Sequence, residues 1–88
     1  MKLNENFVLR QVADNWVVFP VGDAVVDFNG MLTLNGSGAM LWRILEQQGD
    51  REALVKALTD IYEVSQEQAL ADVDAFLQKL RDAGCLDA

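Results

Sequence analysis

The apolar positions of the chain fall into two regimes that meet near Leu34. Up to that point, β-branched and aromatic runs are short and broken by turn residues. "FVLRQV" (7–12) and "WVVFPV" (16–21) are separated by "ADN", a short polar connection that suits a hairpin. "AVVDF" (24–28) and "MLTL" (31–34) flank Asn29-Gly30, the strongest short-range signal for a two-residue type I′ turn. Pro20 has no amide hydrogen to give to a ladder, so it closes the second strand or marks an edge or bulge. The pattern predicts a small antiparallel sheet of three or four strands.

After Leu34 the period lengthens. Asn35 or Ser37 can cap a helix in which Met40, Leu41, Ile44 and Leu45 recur at spacings of three and four, ending at "QQGD" with Gly49. Asp50 caps a second helix with Ala53, Leu54, Ala57, Leu58 and Ile61 on one stripe, and "YEVS" is a very short turn. Ser65 and Gln68 fit a capping box for a third helix, striped by Ala69, Leu70, Val73, Phe76, Leu77 and Leu80 and ending near Gly84. The predicted fold is α+β: an N-terminal antiparallel sheet packed on a three-helix bundle, winged-helix-like, as a single domain over residues 1–88.

Size sharpens this picture. A chain of 88 residues buries only about 60 to 65% of the surface it exposes when unfolded, so nearly all its large apolar side chains are needed for the core and little remains for a deep pocket. Its 51% hydrophobic and 24% charged residues are those of a globular domain. No apolar run approaches the roughly 20 residues of a membrane span, and "MKLNENFVLRQ" has neither the apolar segment nor the cleavage site of a signal peptide. The single cysteine, Cys85, cannot form an internal disulfide. The cytoplasm is the expected compartment.

Charge excludes more. The net of −7 is uneven: from Glu46 onward there are ten acids and four bases, against four and three in residues 1–45. A field of that sign repels phosphate backbones and anionic lipid. The last two helices resemble a helix-turn-helix unit, but the segment that would enter the major groove, "SQEQALADVDAF", carries Glu67, Asp72 and Asp74 and no base before Lys79. Neither nucleic acid nor membrane is an expected partner.

Catalysis lacks its components. With no histidine there is no imidazole acid/base pair or triad. Cys85 in "AGCLDA" has no base partner and reads as a small apolar residue closing the fold. Asp72 and Asp74, two apart on a helix, point to different faces. "NGSGAM" lacks the third glycine and the βαβ setting of a dinucleotide loop, so it is a turn and a helix start. No catalytic residue, metal site or cofactor is expected.

The order of these pieces resembles the PqqD-like family, named for the small chaperone of pyrroloquinoline quinone (PQQ) biosynthesis. The resemblance rests on "LNGSGAMLW" followed by "LVKALTDIYEVSQEQALADVDAFLQKLRDAGCL". The matching positions are Leu34, Asn35, Gly38, Trp42, Tyr62, Val64, Asp72, Val73, Phe76, Leu77, Leu80, Gly84 and Leu86, and "FVLRQVADNWVVFPVG" fits the opening strands. One departure is Gly36, where relatives more often have Glu, which removes a carboxylate from the helix start. The resemblance implies a non-catalytic RiPP recognition element. Such a domain binds the leader of a ribosomally made precursor peptide and presents its core to a modifying enzyme, often a radical SAM enzyme. It implies a leader held as an added strand in the groove between the strand before the first helix and the third helix.

On that basis the candidate peptide-binding residues are Met31, Leu32, Thr33, Leu34 and Asn35 on the strand, and Asp72, Val73, Phe76 and Lys79 on the third helix. Each has a plainer reading beside it. Met31 and Thr33 share one side of the strand and Leu32 and Leu34 the other, so only one pair faces the groove side of the sheet. Val73 and Phe76 lie on the apolar stripe and suit the core. Asn35 is chiefly a cap, and Trp42 is core unless an edge of its ring is exposed. A Lys79-Arg81 pair can make the groove locally positive. Two other uses of the same fold stay open: an adaptor that docks a partner on the acidic helical face around Asp60 and Glu67, and a homodimer that pairs its own edge strands.

Overall fold

The computed structural model describes residues 2–22 and 32–87. The strand expected at 24–28, the Asn29-Gly30 turn and Met31 lie outside the described residues. In chain order the elements are β1 (Lys2–Leu3), β2 (Phe7–Val12), β3 (Asn15–Pro20), β4 (Leu32–Leu34), α1 (Gly36–Glu46), α2 (Arg51–Ile61), α3 (Gln66–Asp82) and β5 (Leu86–Asp87). A small antiparallel sheet in the order β2-β3-β4 packs on the three helices, as the change of period predicts.

The expected hairpin is β2-β3, with Val12 opposite Asn15 and Phe7 opposite Pro20. Asn15 joins the strand, so the loop shrinks to Ala13-Asp14, and Ala13 takes the left-handed region at φ 56°, a conformation that costs a residue with a β-carbon about 1–2 kcal/mol. Pro20 is the last residue of β3, where its missing amide hydrogen costs least. A second ladder was not legible in the sequence: β1 pairs with β5, Lys2 opposite Asp87 and Leu3 opposite Leu86, reinforced by the Asn4 amide donating to the Cys85 carbonyl at 2.8 Å. Two-residue strands carry no periodicity to detect.

Among the described residues, all three helices begin on a side-chain cap. Asn35, not Ser37, caps α1: its Oδ1 accepts from the Gly38 amide at 2.8 Å and from the Ser37 hydroxyl at 2.9 Å. Asp50 accepts from the Ala53 amide at 2.9 Å, and Ser65 from the Gln68 amide at 3.1 Å. The capping box at α3 is only half formed, because the Gln68 carboxamide reaches forward to Asp72 at 2.7 Å.

Two helices close on the same motif with the glycine in different places. At the end of α3 the Gly84 amide bonds to Arg81 and the Cys85 amide to Leu80, with Gly84 in the left-handed region at φ 79°. At the end of α1 the equivalent bonds run from Gln48 to Leu45 and from Gly49 to Ile44, and the left-handed residue is Gln48, at φ 65°. Gly49 is needed for a different reason. A β-carbon there would collide with the Ile44 side chain and lie 2.8 Å from its carbonyl oxygen.

The core gathers Leu9 and Val18 from the sheet with Trp42, Leu54, Val73, Leu77, Leu80 and Cys85. Trp42 is fully buried, so it offers no ring edge to a partner. On α2 the buried residues are Leu54, Val55 and Leu58. Ile61, expected on that stripe, is 62% exposed: it ends the helix, and no described element covers it. Val55 is buried instead because α2 packs against both α1 and α3, which widens its apolar face. On α3, Leu70 and Phe76 are only half-buried.

Cys85 closes the fold as an apolar residue, and burial pushes its thiol up to about 11 from an ordinary value of 9.0. The folded protein therefore holds this proton more tightly than the unfolded chain. The stability so gained is complete below pH 9.0 and is lost as pH rises through about 11. Chemical denaturation across that range should show the loss in the native chain and a smaller one in Cys85→Ala. Helix-end chemistry gives a second expectation: Gln48→Gly should raise stability by up to about 1 kcal/mol by removing a left-handed β-carbon, whereas Gly49→Ala should lower it by about 1–3 kcal/mol through overpacking against Ile44. Urea midpoints check both signs.

Candidate functional site

β4 pairs on one side with β3, Leu34 opposite Trp16, Thr33 opposite Val17 and Leu32 opposite Val18. Among the described residues no strand pairs with its other side. The Thr33 carbonyl accepts from the Lys79 ammonium at 3.3 Å, so it is turned away from β3. In an antiparallel ladder the amide and carbonyl of one residue point to the same side, and successive residues alternate. Thr33 therefore presents both its backbone groups at the open edge, while Leu32 and Leu34 bond inward to β3.

Side chains alternate in the other direction. Leu34 is buried, Leu32 half-buried and packed on the core, and Thr33 exposed. Thus the leucine pair faces the protein interior, and Thr33 lies on the outer face.

The second wall is α3. Asp72, Phe76 and Lys79 are spaced by four and three residues, which puts them in one row, and together with Leu34, Asn35 and Gly38 they border a shallow groove of about 350 Å³. Val73 does not reach it: its side chain is fully buried in the core, holding the helix from behind. Leu41 and Leu58, which the apolar stripes assign to the core, are buried and also form the groove floor. Gly38 sits where the strand edge, the helix start and Phe76 converge. A β-carbon there would be 3.3 Å from Leu34 Cβ and 3.6 Å from Phe76 Cε1. A glycine one turn inside a helix is the sequence signal for such an approach, although the residues alone do not say what approaches.

The electrostatics of the groove are mixed. Asp72 and Lys79 are seven residues apart, about 10 Å along the helix axis, and each has a polar partner on the protein, Gln68 for Asp72 and the Thr33 carbonyl for Lys79. Arg81 does not line the groove; it acts on Asp74. Asp74 forms a two-pronged ion pair with Arg51, at 2.7 and 2.9 Å. The hydrogen bond from that guanidinium, more than any other cause, holds the Asp74 carboxyl below its ordinary value. Asp72 and Asp74 thus serve different faces, and among the described residues no group of His, Cys, Asp or Glu could hold a metal ion. No helix among them is long and apolar enough to cross a membrane.

A comparable depression, about 430 Å³, lies between α2 and α3, lined by Arg51, Val55, Lys56 and Leu70. Its lining comes from helices and their termini, whose interior amides and carbonyls are already paired. The groove beside β4 differs in having an open strand edge.

The sequence pattern of the family described as coenzyme PQQ synthesis protein D (PqqD) matches residues 15–86 of the chain. No curated protein matches it. Among solved structures, the fold is similar to "TbiB1 in Complex with the TbiA(beta) Leader Peptide", with a TM-score of 0.84 and 23% identity over 100% of this chain and 96% of that one. It is also similar to "Lasso peptide synthetase B1 complexed with the leader peptide", with a TM-score of 0.78 and 21% identity over 96% and 93% of the two chains.

The position of Phe76 on the groove rim separates it energetically from its neighbours on α3. Phe76→Ala should cost about 1–2 kcal/mol, since only part of the ring leaves an apolar setting, while Leu80→Ala, at a fully buried position, should cost about 2–5 kcal/mol. Denaturant unfolding of the two variants would reverse this order if the ring were the deeper of the two.

Proposed function

The chain belongs to the PqqD family, and from that membership we propose that it is a non-catalytic peptide-binding chaperone. It captures the leader of a ribosomally made precursor peptide as an added strand on β4 and presents the remainder to a modifying enzyme, such as a radical SAM enzyme. The observation that carries this reading is the outward-facing backbone of Thr33 beside a groove walled by α3. A strand edge supplies affinity through main-chain hydrogen bonds, and the pockets beside it supply selectivity. Here Leu34, Leu41 and Phe76 offer an apolar surface for one side chain of the incoming strand, and Asn35, Asp72 and Lys79 offer polar contacts around it. Both similar structures are of proteins bound to a leader peptide, which supports the same use of the fold.

The geometry selects the test. Titrating the labelled protein with the leader of a candidate precursor should shift the amides of Leu32 to Asn35 and of Asp72 to Lys79, and leave Ala53 to Ala57 nearly still. Thr33→Pro removes the outward amide while leaving the inward ladder of Leu32 and Leu34 intact. It should weaken binding by about 1 kcal/mol or more, with Thr33→Ser near the native value and circular dichroism unchanged in both. A leader that binds tightly while residues 32–35 stay unperturbed would instead favour a partner on the acidic helical face around Asp60 and Glu67. A mass that falls on dilution, and that the leader does not compete against, would instead favour a homodimer that pairs its own edge strands.

A further inference from the structure

Among the described residues, Lys79 and Asp72 are the charged side chains that border the groove, and they differ in what each has left to give. The Lys79 ammonium carries three donors and uses one, at 3.3 Å, on the carbonyl of Thr33. It takes part in no ion pair among the described residues, unlike Arg43, Arg51 and Lys56, which are paired with Glu46, Asp74 and Asp60. A strand added to β4 must bring an amide hydrogen to that same Thr33 carbonyl, so the ammonium stands directly beside the incoming backbone. Resting on the strand-addition reading above, we infer that Lys79 determines specificity by binding an acidic side chain of the added strand, at the position that pairs beside Thr33.

The surrounding charge narrows this to one position. The chain carries a net of −7, so an acidic residue elsewhere along the bound strand meets a repelling field. Asp72 lies about 10 Å along the helix from Lys79, the length of roughly three strand residues. There an acid is disfavoured and a basic side chain favoured. The groove therefore has a polarity: an extended peptide with its acid toward Lys79 and its base toward Asp72 fits, and the reversed order places like charges together. A charge-assisted contact of this kind is stronger than one to a neutral acceptor, and Lys79 can make it without abandoning its place on the strand edge.

A random peptide library displayed on phage and panned against the native protein and against Lys79→Met is a direct test. Methionine keeps the apolar stem and removes the charge. Peptides retained by the native protein should be enriched in Asp or Glu at one fixed position, an enrichment absent from those retained by Lys79→Met. For one selected peptide, its acid should confer about twofold to fivefold tighter binding to the native protein than the matching amide does. That advantage should vanish with Lys79→Met and reverse with Lys79→Glu. Peptides that shift the amides of residues 32–35 but show no fixed acid and no such coupling would overturn the role of Lys79 and leave strand addition standing. Peptides that bind without moving those amides would overturn strand addition, and this inference with it.

Discussion

The structure turns on the side chain of Asn35. Its carboxamide oxygen accepts from the Gly38 amide and the Ser37 hydroxyl, while its backbone carbonyl accepts from Ala39, so the chain passes from strand to helix through one residue. A longer connection would let α1 pivot about the end of β4. With the cap made, Leu34 is committed to the core, Gly38 is brought against Phe76, and the edge of β4 is held at a set distance from α3. The groove exists because those three consequences share one cause. A loss of the cap, typically worth about 1 kcal/mol, would be felt at the groove as well as in the helix.

A domain of this size has few ways to recognise a partner. Most of its described large apolar side chains are consumed in holding sheet and helices together, and the cavities among them are shallow. A backbone edge needs no extra residues, since its donors and acceptors come with the chain. Such an edge also invites unwanted pairing, a liability that proteins commonly manage with lysine. Lys79 lies over the one outward carbonyl that the described part of β4 presents. It thereby covers the edge while leaving room beside it.

Part of the acidic surface is paired with bases. Asp74 is drawn to Arg51, Asp60 to Lys56 and Glu46 to Arg43, which ties up these carboxylates on exposed helical faces at little gain in stability. Asp72 is engaged by a neutral partner, Gln68, rather than by a base. Other acids, Asp82 and Glu67 among them, also lie in no ion pair among the described residues, so what sets the groove apart is that one acid and one base, Asp72 and Lys79, border it together.

Much of the fold was written in local sequence. The change of hydrophobic period at Leu34, the caps at Asn35, Asp50 and Ser65 and the apolar stripe of α3 follow from spacing and side-chain chemistry that act within one or two turns. The closing of the fold by Cys85 was legible from its setting. The β1-β5 ladder was not, because its strands are too short to have a pattern and their pairing joins opposite ends of the chain. Nor was the exposure of Ile61, since a stripe predicts which residues share a face but not where the neighbouring element stops. At the site, both candidate walls came from the family resemblance and not from spacing, and where each of their residues lies required the assembled structure. Val73 and Phe76 lie on one stripe, yet one is core and the other rim. The direction of the Thr33 carbonyl depends on its register with β3, and the meeting of Lys79 with Thr33 spans 46 positions in the chain. Spacing along one element decides what a residue can face; only the packing of elements against each other decides what it does face.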